Sequence, residues 1–108
     1  MARIPKEIKV TVQRFIKELG KEIPIDKAVI YGSYARGGYR EDSDVNVAIF
    51  SDYFKGMKSV DAITFLVMKA QEYDLPIEPV PYTSDDLQKK DGIVKEIVMS
   101  GIDVKPER

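Results

Sequence analysis

The chain has 108 residues, no cysteine, no histidine and a formal charge of -1 from 17 basic and 18 acidic side chains. This length suffices for one compact domain with a single core, and the balanced charge excludes a global basic field that would hold a long nucleic acid. The missing residue types exclude disulfides, thiolate or imidazole metal sites and a Ser-His-Asp triad, so acid–base chemistry falls to carboxylates, Lys or Tyr.

The chain contains no internal repeat or linker, so we predict a single domain over residues 1–108. Residues 1–9 lack the apolar core of a secretion signal. No apolar run reaches the roughly 18 residues that a membrane helix needs. We therefore expect a cytoplasmic protein without a membrane interaction.

The first half of the chain combines helical and strand patterns. The predicted elements are a helix over 5–19, a buried strand over 27–31, a brief helix over 33–36 and a strand over 44–50. Gly20 offers the first helix its C-terminal stop, and Gly32 ends the first strand in a turn. In the second strand, apolar side chains alternate with Asp44, Asn46 and Ala48, which gives this strand an unusual polar face.

The second half begins with a crossover helix that returns the chain to the sheet. The predicted elements are a helix from Ser59 or Asp61 to about Tyr73, a strand over 77–82, a helix capped by residues 83–86, a helix over about 93–98 that ends at Gly101, and a marginal strand over 102–104. The wide apolar face of the crossover helix, which includes Ile63 and Val67, predicts substantial burial. Pro79 and Pro81 lack backbone donors and favour an edge position for their strand.

The turn after the first strand carries Gly32 and Ser33. A glycine permits a tight turn, and a Ser hydroxyl with nearby backbone N–H groups can hold triphosphate oxygens. Arg36, one helical turn later, adds positive charge or braces the turn. For this dipeptide taken alone, an ordinary turn with Ser33 as the helix N-cap is the favoured interpretation.

The polar face of the second strand indicates a cation site. Asp44 and Asn46 lie two residues apart, roughly 7 Å along the strand, and project from one face. Mg²⁺ prefers oxygen ligands and usually retains waters and substrate phosphates. Glu78 on the third strand can supply another oxygen or accept a proton. Three alternatives stay open: Asp44 only begins a strand, Glu78 is a solvated edge charge, or Asp42 and Asp44 form the acidic pair.

Two segments together resemble the signature of minimal nucleotidyltransferases of the DNA polymerase β superfamily. Gly-Ser-Tyr-Ala-Arg-Gly at 32–37 matches the family pattern Gly-Ser-x-Ala-Arg-Gly, and Ser-Asp-Val-Asn at 43–46 follows its Ser-Asp-x-Asp except at the last position. The resemblance covers nearly the whole chain. It implies an α/β (α+β) nucleotidyltransferase fold, a small mixed sheet with helices packed against it.

The resemblance also implies an activity. Family members bind ATP or another nucleoside triphosphate with two Mg²⁺ ions and transfer a nucleotidyl group to a hydroxyl acceptor, in some cases a protein Tyr. By this resemblance Asp44 and Glu78 are the catalytic residues, and Asp44, Asn46 and Glu78 bind metal. Gly32, Ser33 and Arg36 bind the nucleotide.

Asn46 stands where the family pattern has its second Asp. The amide keeps one carbonyl oxygen but removes a full negative charge, so we expect weaker metal binding, above all at a second ion position. Three explanations stay open: a natural binder of reduced activity, an enzyme that recruits Asp42 or another acid, and a chain altered at this position.

A binding function is the alternative to catalysis. Proteins similar to this one act as antitoxins that bind a helical HEPN toxin, with or without transfer of adenylate to it. A generic nucleotide sensor is a third possibility. We expect Tyr34, Tyr39, Tyr53 and Phe54, which lie around the motif, to be exposed and available to a protein partner.

Overall fold

The computed structural model describes residues 4–40 and 42–105. In chain order the elements are α1 (Lys6–Leu19), β1 (Lys27–Tyr31), α2 (Ser33–Arg36), β2 (Val45–Phe50), a 3-10 turn (Asp52–Phe54), α3 (Ser59–Ala70), β3 (Ile77–Tyr82), α4 (Ser84–Lys89), α5 (Ile93–Ser100) and β4 (Ile102–Asp103). The ends of the predicted 1–108 domain, residues 1–3 and 106–108, lie outside the described residues. Within the described residues, no helix has the length and apolar character that crossing a membrane requires.

The four strands form one mixed sheet in the order β3-β2-β1-β4. β1 is antiparallel to both β2 and β4, whereas β2 and β3 are parallel and are joined through α3. The mixed sheet with its five helices confirms the predicted α/β class. β3 lies at an edge of the sheet, as Pro79 and Pro81 predict, because an edge strand can leave donors unpaired on its outer side.

One face of the sheet is covered by α1 and α3. The buried residues of α1 are Ile8, Val12, Phe15, Ile16 and Leu19, at the helical spacing that places them on one side. They form a continuous core with Ile30 of β1 and Val47 of β2. The Phe15 ring meets Tyr73 edge-on with centroids 5.5 Å apart, which holds the turn after α3 against α1.

The opposite face is only partly covered, by α4 and α5. Val94 and Ile97 of α5 pack on Val29, Ala48 and Phe50 of the sheet. This second cluster lies toward the carboxyl ends of β2 and β3, so the beginnings of these two strands stay open on this face. The predicted cap of α4 is confirmed by two reciprocal bonds: the Thr83 hydroxyl accepts from the Asp86 N–H, and the Asp86 carboxylate accepts from the Thr83 N–H.

The crossover helix α3 differs from its prediction. It follows Lys58, has no side-chain N-cap and ends at Ala70, three residues early. Ile63 and Val67 are 44% and 36% exposed, so the expected wide burial is wrong for these two side chains. The reason is that α3 packs on the edge strand β3 and on α1, which cover only the line of Ala62, Leu66 and Ala70.

Gly101 closes α5 onto the sheet and provides a test of this packing. A Cβ at this position would overlap Cγ1 of Val29 and the carbonyl oxygen of Ile97. We expect Gly101→Ala to lower the free energy of unfolding by about 1–3 kcal/mol, because neither the helix backbone nor the sheet can move freely. Denaturant unfolding followed by circular dichroism measures the change.

Gly38→Ala is the matched control. A Cβ at Gly38 has no atom within 4 Å, so this variant should unfold within about 0.5 kcal/mol of the wild type. Equal stability of the two variants would contradict the close packing of α5 on β1.

Candidate active site

Three strands bring one polar row together at the open part of the sheet. Tyr31 of β1 is the register partner of Asn46, and Asn46 is the register partner of Glu78 on β3. Register partners in adjacent strands project to the same face of a sheet. Tyr31, Asn46 and Glu78 therefore lie side by side at the beginnings of β2 and β3, with Tyr31 packed at the border of the α5 cluster and the other two residues beyond it.

The Gly-Ser turn lies directly against this row. Gly32 has φ 79° and ψ -145°, a conformation that L side chains rarely adopt. A Cβ at Gly32 would lie 2.6 Å from the side-chain nitrogen of Asn46. The turn thus requires a glycine for two separate reasons, and its backbone is in contact with the Asn46 side chain.

The short helix α2 is anchored to the core through a buried tyrosine. Tyr34 is buried in the main core and stacks on Tyr39, with ring centroids 4.5 Å apart and an interplanar angle of 11°. The carbonyl of Ser33 accepts hydrogen bonds from the N–H groups of Gly37 and Gly38 at 2.9 and 3.0 Å. Arg36 stays exposed. The turn and Arg36 are therefore held in place by the core beneath them.

The two predicted acids are both exposed. Asp44 lies immediately before β2, and Glu78 lies within β3. Within the described parts of the chain, neither carboxylate forms a salt bridge. Of the alternatives for the acidic pair, the register favours the frame with Asn46, because this residue and not Asp42 faces Glu78.

The chemistry of the donor set fits one Mg²⁺ ion. Asp44 and Glu78 offer carboxylate oxygens and Asn46 offers an amide oxygen, and Mg²⁺ usually takes one or two protein carboxylates and completes its shell with phosphates and waters. Residues 4–40 and 42–105 contain no group of three or more acidic side chains arranged around one point. The residues present therefore do not fit the second ion that the resemblance implies, since Asn46 lacks the bridging charge.

Tyr31 belongs to the row but was missed by reasoning from the sequence. Burial, together with smaller contributions from the nearby Tyr82 and Glu78, raises the pKa of its hydroxyl to about 12. The hydroxyl therefore stays protonated at neutral pH and can donate a hydrogen bond. The available signal was its position directly before Gly32, but that position alone does not reveal which face the ring occupies.

The predicted aromatic surface around the motif is only partly present. Tyr34 and Phe54 are buried, with 4% and 5% exposure, and Tyr39 is half-buried against Tyr34. Only Tyr53 remains largely exposed, at 44%. The expectation that these rings offer a partner surface is wrong for Tyr34 and Phe54, because both are needed to fill the core under the loops.

Known proteins share both the sequence pattern and the fold. The profile of the family described as "Nucleotidyltransferase domain" matches residues 12–103. A protein of Methanocaldococcus jannaschii named "Putative protein adenylyltransferase" is 31% identical over 96 residues, which span 82% of this chain and 94% of that protein. A crystal structure titled as a putative nucleotidyltransferase from Sulfolobus solfataricus superposes with a TM-score of 0.58 at 18% identity, over 82% of this chain and 84% of the other.

The three similarities have different weight. At 18% identity the Sulfolobus structure supports the fold alone, whereas the profile extends over most of the chain and includes the turn, β2 and β3. The match to the Methanocaldococcus relative covers more than four fifths of each protein. On this evidence the chain belongs to the nucleotidyltransferase domain family.

Proposed function

We propose that this protein binds a nucleoside triphosphate, ATP in the first place, and transfers its nucleotidyl group to a hydroxyl acceptor. The observation that carries the proposal is the contact between Asn46 and Gly32, combined with the pairing of Asn46 with Glu78. A turn suited to phosphate and a row of oxygen ligands thus meet at one point, which is the arrangement that nucleotidyl transfer requires.

In the proposed complex, the triphosphate lies between the turn and the row. The Ser33 hydroxyl donates to a phosphate oxygen, and the exposed Arg36 guanidinium adds a charge-assisted contact. Gly32 permits close approach because it has no side chain. Asp44 and Glu78, with the amide oxygen of Asn46, would hold one Mg²⁺ ion. A bound Mg²⁺ would offset the charge that develops on the phosphates.

The transfer step exchanges a phosphoanhydride bond for a phosphoester bond. The acceptor oxygen forms a bond to the α-phosphorus, the bond from the α-phosphorus to the bridging oxygen breaks, and pyrophosphate leaves with that electron pair. The proton of the acceptor hydroxyl passes to the Glu78 carboxylate, which is exposed and faces the site. Tyr31 is a poor acceptor for this step, since its raised pKa makes its oxygen reluctant to ionise.

The nature of the acceptor is suggested by the relative at 31% identity, whose name states protein adenylyl transfer. We propose by analogy that the acceptor is a protein hydroxyl, such as a Tyr, and that the transferred group is AMP. The chain's formal charge of -1 supports a protein acceptor over a long nucleic acid, which would need a broad basic surface.

A second candidate function is partner binding with weak catalysis, as in an antitoxin that holds a HEPN toxin. Two observations favour it. Asn46 removes a charge from the metal site, and α3 exposes apolar side chains that folding leaves uncovered, with Val60 at 64%, Ile63 at 44% and Met68 at 63%. In this case the nucleotide site would regulate the partner or modify it slowly.

Restoring the missing charge tests the proposed enzyme. Asn46→Asp should raise Mg²⁺-dependent release of pyrophosphate from ATP by about tenfold or more, because a bridging carboxylate strengthens the second ion position. Electron paramagnetic resonance of Mn²⁺ with a non-hydrolysable ATP analogue should show more bound ions per chain than in the wild type.

Asn46→Ala serves as the control, since it removes the amide oxygen without adding charge. This variant should bind Mn²⁺ more weakly than the wild type. If pyrophosphate release and Mn²⁺ binding were the same in all three proteins, residue 46 would not face the metal and the proposal would be wrong.

The contact between the turn and β2 is tested by a double-mutant cycle. Gly32→Ala should lower the free energy of unfolding by about 2–4 kcal/mol, from backbone strain and from the clash with Asn46. Adding Asn46→Ala should recover about 1 kcal/mol or more of this loss, because the clash disappears and the strain remains.

Gly56→Ala separates the two effects. Gly56 has φ 81°, close to that of Gly32, but a Cβ there meets no atom within 4 Å. Gly56→Ala should lower the free energy of unfolding only by the strain contribution of about 1–2 kcal/mol, whether residue 46 is Asn or Ala. A Gly32→Ala loss no larger than that of Gly56→Ala would argue against the contact.

A further inference from the structure

A cleft of about 290 Å³ lies between α2 and α5, next to the proposed triphosphate site. Its walls include Tyr31, Gly32 and Arg36 on one side and Ile93, Glu96 and Ile97 on the other. Small-molecule sites span roughly 300–1,000 Å³, so this cleft is large enough for one part of a ligand and too small for a protein segment with side chains.

The cleft and the proposed active site share a boundary. Tyr31 lies in the polar row with Asn46, and Gly32 is the residue that Asn46 contacts. Both residues also line the cleft. A ligand with its phosphates on the Gly-Ser turn therefore has the cleft as its neighbouring space.

Apart from the Arg36 guanidinium at its edge with the turn, the lining of the cleft is unlike a phosphate site. Ile97 is buried and Ile93 is 59% exposed, whereas Val94 of the same helix is buried on the sheet. The single charge on the α5 side is the Glu96 carboxylate, which accepts hydrogen bonds and repels anions. Within the described residues, Glu96 forms no salt bridge.

These features match a flat, largely apolar group with one hydrogen-bond donor at its edge. We propose that the cleft receives the base of the nucleoside triphosphate, and that Glu96 selects a base with an exocyclic amino group, as in adenine. Ile93 and Ile97 contact the faces of the base, and Glu96 accepts from the amino group. The inference rests on the proposed function, because the cleft becomes a base site only if the turn holds the phosphates.

The test compares three probes in the presence of Mg²⁺: ATP, purine riboside triphosphate, which lacks the amino group, and inorganic tripolyphosphate, which lacks the nucleoside. Wild-type protein should bind ATP about tenfold more tightly than purine riboside triphosphate, measured by isothermal titration calorimetry. Glu96→Ala should abolish that difference. Its affinity for tripolyphosphate should stay equal or rise slightly, since a negative charge is lost.

Lys95→Ala is the control for Glu96→Ala, because Lys95 is exposed on the same helix and does not line the cleft. It should preserve the preference for ATP over purine riboside triphosphate.

A second pair of variants tests the apolar wall of the cleft. Ile93→Ala should weaken both nucleotides about threefold and leave tripolyphosphate unchanged, whereas Met99→Ala, at a site 74% exposed outside the cleft, should change none of the three.

The outcomes separate the two proposals. If ATP binds but Glu96→Ala behaves like Lys95→Ala, the base site is wrong and the phosphate site stands. If ATP binds no more tightly than tripolyphosphate, the base site is likewise overturned. If neither ATP nor tripolyphosphate binds the wild-type protein with Mg²⁺, the proposed function fails and the base site fails with it.

Discussion

The contact between the Asn46 side chain and the backbone of Gly32 is the constraint on which the candidate site depends. It joins the end of β1 to the beginning of β2, two points separated by thirteen residues of turn, helix and loop. A larger residue at 32 would push the turn away from the strand, and the phosphate and metal ligands would no longer share one space. The buried Tyr34 holds the same turn from below, so the site is fixed from both sides.

One face of the sheet forms the main hydrophobic core, and the other face carries the candidate site. α1 and α3 cover the first face along its length, whereas α4 and α5 cover only part of the second. The uncovered part contains Asn46 and Glu78, with the half-buried Tyr31 at its border, so polar side chains there can meet solvent and ligand. The site therefore lies where the helical cover ends, and the packing of α5 determines how far it extends.

Most elements could be predicted from the sequence because their signals are local. Apolar periodicity gave α1, and the prolines of β3 indicated an edge strand. The side-chain chemistry of Asn46 and Glu78 indicates site residues, but their pairing depends on a parallel register that no local signal specifies. The cleft is even harder to predict from local signals, because its walls come from segments about sixty residues apart. The exposure of Ile63 and Val67 was missed because periodicity shows a helix's apolar face and not the width of the surface that covers it.

In the proposed site, the charge balance explains how binding and catalysis can diverge in one fold. Two carboxylates, Asp44 and Glu78, attract one divalent cation and leave the Gly-Ser turn and Arg36 to hold the triphosphate, so the nucleotide needs no third acid to bind. Alignment of an incoming hydroxyl with the α-phosphorus would require a second cation. The first cation repels the second, so the site would need more negative charge to hold both. An Asn at position 46 has the same size as an Asp and keeps the contact with Gly32, but it lacks the negative charge. In the proposed mechanism, the same residue thus maintains the architecture of the site while it limits the reaction.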